Sequence, residues 1–277
     1  MKAIKRRIKS VGSTKQITKA MQLVASSKLR KAKAKAEQAR PYFNELYKTM
    51  CEIASGKNLQ TVFTTKREVK HRLFIVVAGD RGLAGGYNSN VLKMAVAAHK
   101  DDAENPKIIA IGRKAVEYFA KRSYDMVASY ANIAEDIKPN TAQDIANIAV
   151  DMFTKGEVDE VVVFYTMFVS SMSQQPQSMA VLPMTTTELE DTAEMTYDPS
   201  PEAVFNRIVP RFTASLIQCA VVESYASEQG ARRTAMESAT DNADAMIENL
   251  SLSYNRARQS SITTEIIDIV SGASAQG

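Results

Sequence analysis

The sequence predicts an α/β fold in which a long antiparallel coiled coil of the N- and C-terminal helices carries an inserted α/β domain. Three observations lead there. The opening and closing segments both repeat apolar or small residues on a 4-3 step, the seam of a helix that faces another helix. Between them, β-branched runs alternate with helical periods, as in a mostly parallel sheet. Charge is divided in the same way. Residues 1–40 hold 13 Lys and Arg against the single acid Glu37, which leaves 22 bases and 30 acids in residues 41–277. The expected boundaries are 1–58 for the first helix, 59–199 for the inserted domain and 200–277 for the last helix.

Composition bounds the function classes. An apolar fraction of 45% and a charged fraction of 24% belong to an ordinary folded chain. No uncharged apolar run approaches the roughly 18–20 residues needed to span a bilayer. Cys51 and Cys219 lie far apart with no CxxC, so a reducing compartment is the default. The basic opening shares its composition with transit peptides. Lys outnumbers Arg there, however, and the helical pattern runs past residue 50, so the segment is expected to be retained.

In the first helix, Ile4, Ile8, Val11, Ala25, Leu29, Ala32, Ala36, Ala39, Phe43, Leu46 and Met50 fall on the seam. Its middle is polar, with Lys15, Thr18 and Gln22, while Ile17, Met21 and Val24 form a second stripe round the side. Fifty helical residues reach roughly 75 Å, too long to be buried in a globule of this size. Lys2/Arg6, Lys5/Lys9, Lys15/Lys19 and Lys31/Lys35 are like-charge i,i+4 pairs, each unfavourable by roughly 0.2–0.5 kcal/mol.

The centre reads as strands at 72–78, 107–112 and 160–169, with an edge strand at 178–184 returning by hairpin. Helices are expected at 89–100, 113–124 and 140–153, the last beginning at Thr141. The whole is a Rossmann-like α/β domain. "GDRGLAGGYNSN" follows the first strand, where glycine loops cradle phosphates. Gly79, Gly82, Gly85 and Gly86 are nevertheless spaced GxxGxxGG, neither GxGxxG nor GxxxxGK[ST]. The second strand runs into Gly112, Arg113 and Lys114 rather than into an acid. A structural tight turn is therefore expected, with no cofactor. His71 and His99, with two distant cysteines, cannot supply an ordinary zinc site. The histidines read as surface residues and the cysteines as helix-face residues. Neither GxSxG nor HExxH occurs, and no catalytic site is expected.

The last helix starts after "YDPSPEAVF", and Pro199 and Pro201 suit its beginning. Ala239, Ala243, Met246, Leu250, Ser253, Ala257, Ser260, Thr264 and Ile267 mark its seam. Pro210 should kink it, and Gly230 costs about 1 kcal/mol relative to Ala. From Glu223 to Asp268 there are eight acids and four bases, so this helix cannot neutralise the first. Something acidic should surround the pair. A nucleic-acid arm on a stand-alone α/β protein would use the charge through phosphate contacts, but aromatics are absent before Tyr42 and the apolar seam calls for protein. A membrane-surface helix lacks bulky anchors among its alanines. An interaction helix in a larger assembly fits both seam and charge.

Three motifs carry a resemblance: "STKQITKAMQLVASSKLRKA", "GDRGLAGGYNSN" and "ATDNADAMIENLSLSYNRARQSSITTEIIDIVSGASA". In order and spacing over nearly the whole chain, they resemble the gamma subunit of F-type ATP synthases, in a bacterial form without a redox cysteine insertion. The resemblance implies a non-catalytic rotor. Its terminal helices would turn inside a ring of three alpha and three beta subunits. Its α/β body would serve as a foot on the epsilon subunit and the c-ring, coupling proton or sodium translocation to ATP synthesis or hydrolysis in beta. It implies a peripheral place on the cytoplasmic side of the cell membrane, with membrane contact only through the complex and no nucleic acid. Residue by residue, it places Met21 at the shaft's moving contact and Lys28, Arg30 and Lys31 in the adjoining basic stretch, all four meeting the alpha–beta ring. Arg258, Gln259, Thr263 and Glu265 match the segment that engages beta-subunit loops, with Arg233 a looser match. Tyr197 and Asp198 match the foot, where many members have Glu for Asp198. Ala84 replaces a frequent Cys, and Gly230 stands where Ala is usual.

Overall fold

A computed structural model of the chain describes residues 1–55, 59, 61–65, 67–100, 104–184 and 198–274. The elements run α1 (Lys2–Ser55), β1 (Arg72–Val77), α2 (Tyr87–Ala97), β2 (Lys107–Ile111), α3 (Arg113–Ala120), β3 (Met126–Tyr130), α4 (Pro139–Thr154), β4 (Glu160–Phe168), β5 (Gln174–Leu182) and α5 (Pro201–Ser274). They fall into two compact units, Ser26–Arg232 and Met1–Ala25 with Arg233–Gly277.

The larger unit is built on a five-stranded sheet of order β3-β2-β1-β4-β5. β1, β2, β3 and β4 are parallel, and β5 returns antiparallel to β4. The run "RLFIVV" is continuous in apolarity because both faces of β1 are covered. Leu73, Ile75 and Val77 face α4, the end of α1 (Met50, Ile53) and the start of α5 (Phe205, Val209, Phe212). Phe74, Val76 and Ala78 face α2 and α3 through Val91, Leu92, Ala115 and Phe119. Each Val, Leu, Ile or Phe buried here contributes roughly 1.5–3 kcal/mol by leaving water.

The α/β class is the one expected, and several details differ. β3 had no counterpart in the sequence reading. "MVASY" lies on the sheet's outer edge with alternate residues exposed, so it carries half the apolar signal of a central strand. β5 starts at Gln174 rather than at 178. Its polar "QQPQ" start belongs to an edge, where Pro176 breaks no ladder that a further strand would need. α4 begins at Pro139, a residue suited to a first helical position, rather than at Thr141. His99 is buried rather than on the surface, because its ring packs edge-on against Tyr124 with Nε2 2.9 Å from the hydroxyl. His71 stays partly exposed beside Glu104 and Asp159. Cys219 is half-buried on α5, while the side chain of Cys51 lies outside the described set.

The smaller unit is an antiparallel helix pair. Lys15 bonds Asp244 at 2.5 Å, and the hydroxyls of Thr18 and Thr240 meet at 2.8 Å. On α1, Ile4, Ile8, Val11 and Lys15 are half-buried and Thr18, Gln22 and Ala25 are buried, the 4-3 seam as read. On α5 the seam is Met236, Thr240, Ala243, Ile247, Leu250, Tyr254, Ala257 and Ser261. Ala243, Leu250 and Ala257 coincide with the expectation. Met246, Ser253, Ser260, Thr264 and Ile267 instead point to solvent. With Ala, Ser and Thr so frequent, small residues occur on more than one side of the helix, and apolarity separates the faces poorly.

Candidate functional site

In an open parallel sheet, the ligand crevice lies beyond the carboxyl ends of the strands where their order reverses. Here that point is between β1 and β4. The glycine turn leaves β1 at this place and is held from within. The Gly79 N–H donates to Asn88 Oδ1 at 2.8 Å, and Asn88 Nδ2 donates to the Arg81 carbonyl at 3.2 Å. One oxygen of Asp80 accepts the N–H groups of Arg113 (2.9 Å) and Asn132 (2.7 Å), so a single carboxylate fastens the segments after β2 and β3.

The crevice is filled by α5. Ser224 Oγ accepts the Thr166 N–H at 3.0 Å, and Ser227 Oγ donates to the Thr166 carbonyl at 2.9 Å. A turn further on, the buried Glu228 carboxylate lies against Gly79, where a Cβ would stand 2.8 Å from its Cδ. Arg232, also buried, donates from Nη2 to Glu228 and to the Gly82 carbonyl, the latter at 3.1 Å. Burial raises the Glu228 carboxyl above its usual range, against the opposing pull of the Arg232 guanidinium. Burial, with Glu228 nearby, pushes the Tyr87 hydroxyl well above its ordinary value. A carboxylate of the chain thus stands where a phosphate would otherwise approach.

Gly230 belongs to the same contact. A Cβ there would lie 3.2 Å from Gln174 Nε2 and 3.4 Å from the Phe168 ring. The Gln174 amide is held in place by the Ser170 and Ser171 carbonyls. Glycine at this position permits close approach of helix and hairpin. The structural turn was legible from the glycine spacing, whereas its partners Glu228 and Arg232 were not. Their signal is an i,i+4 acid–base pair in the small-residue stretch "SEQGARR".

Of the basic residues expected to meet the ring, Lys28 is engaged within the chain, with Nζ 2.7 and 2.8 Å from the two Glu135 oxygens. Lys35 and Lys138 share Asp136 at 2.8 and 2.6 Å, and these bonds, Lys138's first, hold its carboxyl down at about 2. Glu135 is lowered by its bond to Lys28. These ion pairs border a cavity of about 710 Å³ whose lining includes Lys31, Ala32, Ile137, Val222 and Tyr225.

Arg30 and Lys31 are exposed, and Met21 is half-buried beside exposed Leu23 and Val24. Arg258, Gln259, Thr263 and Glu265 are all exposed, the Thr263 hydroxyl donating to the Gln259 carbonyl at 2.9 Å. Arg233 is half-buried. The Thr18–Thr240 register sets Met21 opposite the stretch near Glu237, so roughly 30 Å of helix separates it from Arg258. The two groups are not brought together. Asp198 is exposed, and Tyr197 lies outside the described residues. Among the described residues, Lys5, Arg6, Arg7, Lys9, Lys19 and Arg30 form no ion pair. Nor do His, Cys, Asp and Glu cluster there to hold a metal, and no helix is long and apolar enough to cross a membrane.

A family model described as ATP synthase matches residues 1–276. A curated relative from Ruminococcus albus, an ATP synthase gamma chain, is 52% identical, covering 99% of this chain and 97% of the relative. The ATP synthase gamma chain of Alkaliphilus metalliredigens is 47% identical, covering 99% and 98%. A sodium-ion-specific ATP synthase gamma chain from Acetobacterium woodii is 45% identical, covering 98% and 97%. Among solved structures, a chain in the OSCP/F1/c-ring of the Euglena gracilis mitochondrial ATP synthase superposes with a TM-score of 0.70. At 16% identity it covers 99% of this chain and 94% of its own, a likeness of fold.

Proposed function

The chain belongs to the ATP synthase gamma-chain family, and from that premise we propose that it is the central rotor shaft of an ion-translocating F-type ATP synthase. In this reading the helix pair turns inside the alpha and beta ring, while the sheet unit rests on epsilon and the c-ring at the cytoplasmic face of the membrane. ATP chemistry stays in beta, and this chain contributes only mechanical coupling.

The observation that carries the proposal is what the helix pair leaves uncovered. Ile17, Leu23 and Val24 on α1, and Ile262, Ile266, Ile269 and Val270 on α5, are exposed apolar residues. Those on α1 lie among lysines and arginines, Lys19 and Arg30 included, that form no ion pair among the described residues, whereas those on α5 stand beside Glu265 and Asp268. An apolar surface on two long helices, strongly positive along α1, matches a surrounding protein collar with acidic loops facing α1. Met21, Arg30 and Lys31 would meet that collar along α1, and Arg258, Gln259, Thr263 and Glu265 along α5. Arg233 is a lesser contact, and Tyr197 with Asp198 would serve the foot. Lys28 reaches the collar only if it leaves Glu135.

The test is co-expression with the alpha and beta subunits of the same genome, followed by native mass spectrometry and an ATPase assay. One copy per alpha–beta ring is expected, with turnover that falls in Arg258→Ala/Gln259→Ala. A free monomer beside a folded ring would remove the proposal.

A further inference from the structure

We infer that residues Ser224–Arg232 of α5 form the joint through which turning force passes between the sheet and the long helix, by occupying the crevice between β1 and β4 as a built-in ligand. The inference rests on the rotor reading above.

The two shaft helices are attached to the sheet unit by contacts of different kinds. α1 is held near the loop before α4 by Lys28–Glu135 and Lys35–Asp136, ion pairs whose side chains are largely in solvent. Such pairs are weak and screened by salt. α5 is held by hydrogen bonds to the backbone of β4 and of the glycine turn, made by buried side chains. Apolar packing is non-directional and lets a helix roll in its groove. A buried polar contact has one arrangement in which all its donors and acceptors are paired. Ser224, Ser227, Glu228 and Arg232 follow one another at steps of three, one and four, so they share one face of α5. Rolling the helix by a single residue position would withdraw the whole stripe at once. Gly79 leaves room for the Glu228 carboxyl, and Gly230 for the Gln174 amide and the Phe168 ring. The usual ligand position of such a sheet is therefore used to key a helix against rotation.

The experiment compares ATP hydrolysis with ATP-driven ion uptake in membrane vesicles that contain the assembled complex. The variants are Ser224→Ala/Ser227→Ala and Glu228→Gln, with Ser227→Thr keeping the hydroxyl and Lys35→Ala as the control on α1. Expected is a loss of ion uptake per ATP in the first two, with hydrolysis retained, and wild-type coupling in the Thr variant and the control. An unchanged uptake-to-hydrolysis ratio in the first two would overturn the joint. So would hydrolysis and uptake falling together, which would mark a merely structural contact. Failure of the wild-type vesicles to take up ions on ATP would instead count against the rotor reading.

Discussion

Replacing Gly79 by alanine probes the helix–sheet contact sterically. The new Cβ would stand 2.8 Å from Glu228 Cδ and 3.0 Å from both carboxylate oxygens. Carbon atoms prefer roughly 3.5–4.0 Å, so the carboxyl must retreat by about an ångström. It cannot do so freely, because Arg232 holds it and is itself bonded to the Gly82 carbonyl. Overpacking of this kind costs about 1–3 kcal/mol. The lower entropy of the unfolded alanine chain offsets about 0.4–1 kcal/mol. A net loss of roughly 0–2.6 kcal/mol corresponds to a Tm lower by up to roughly 10 °C. The assay is thermal and urea unfolding of the purified chain, repeated in a Glu228→Ala/Arg232→Ala background. With both partners gone, Gly79→Ala should be neutral or slightly stabilising, giving a coupling of about 1–3 kcal/mol between the sites. Equal shifts in the two backgrounds would refute the contact.

Two further outcomes follow from the geometry. The Thr18–Thr240 hydroxyl pair is buried, and each oxygen also reaches a carbonyl of its own helix, Lys15 and Met236. Thr18→Val should cost about 0.5–1.5 kcal/mol through the lost Thr18–Thr240 bond, and because Thr240 keeps the Met236 carbonyl, adding Thr240→Val should cost less than Thr240→Val does alone; urea unfolding with equal costs in both backgrounds would exclude the pair. Asp136 titrates at about 2 because Lys138 and Lys35 bond it, against 3.8 for a free aspartate. Its contribution is complete above about 4 and is lost as pH falls through about 2. Half-exposure keeps that contribution small. The carboxyl carbon shift followed by NMR should show the low midpoint in wild type and a return toward 3.8 in Lys35→Ala/Lys138→Ala; a wild-type midpoint near 3.8 would exclude the shared bond.

What the sequence made legible tracks where burial is strong or one-sided. β1, β2 and β4 were read because both their faces are covered, and α1 because its seam alternates bulky or alanine residues with lysines. β3 escaped because "MVASY" lies on an edge with every second residue exposed. On α5, small residues on several sides led the reading to Met246, and packing against Thr18 and its neighbours instead selects the face with Thr240 and Ile247. The glycine turn was recognisable as a turn because its spacing fits no phosphate loop. That Arg232 reaches Gly82 depends on two segments 150 positions apart. No local pattern records such a pairing. Gly230 looked like a weak point in a helix and is a close approach to Gln174 and Phe168. The exposed residues Arg258, Gln259, Thr263 and Glu265 lie off the helix seam, and only the resemblance in motif singled them out.

The rotor account is tested most directly by watching the chain turn. A single cysteine is placed at Met172, which is 88% exposed in the β4–β5 hairpin, in a chain with Cys51 and Cys219 replaced by alanine. The chain is assembled with its alpha and beta partners, the ring is fixed to a surface and a probe is attached at residue 172. The account predicts rotation in one direction while ATP is supplied, and arrest when it is removed. A ring that hydrolyses ATP and retains the chain while the probe stands still would contradict it.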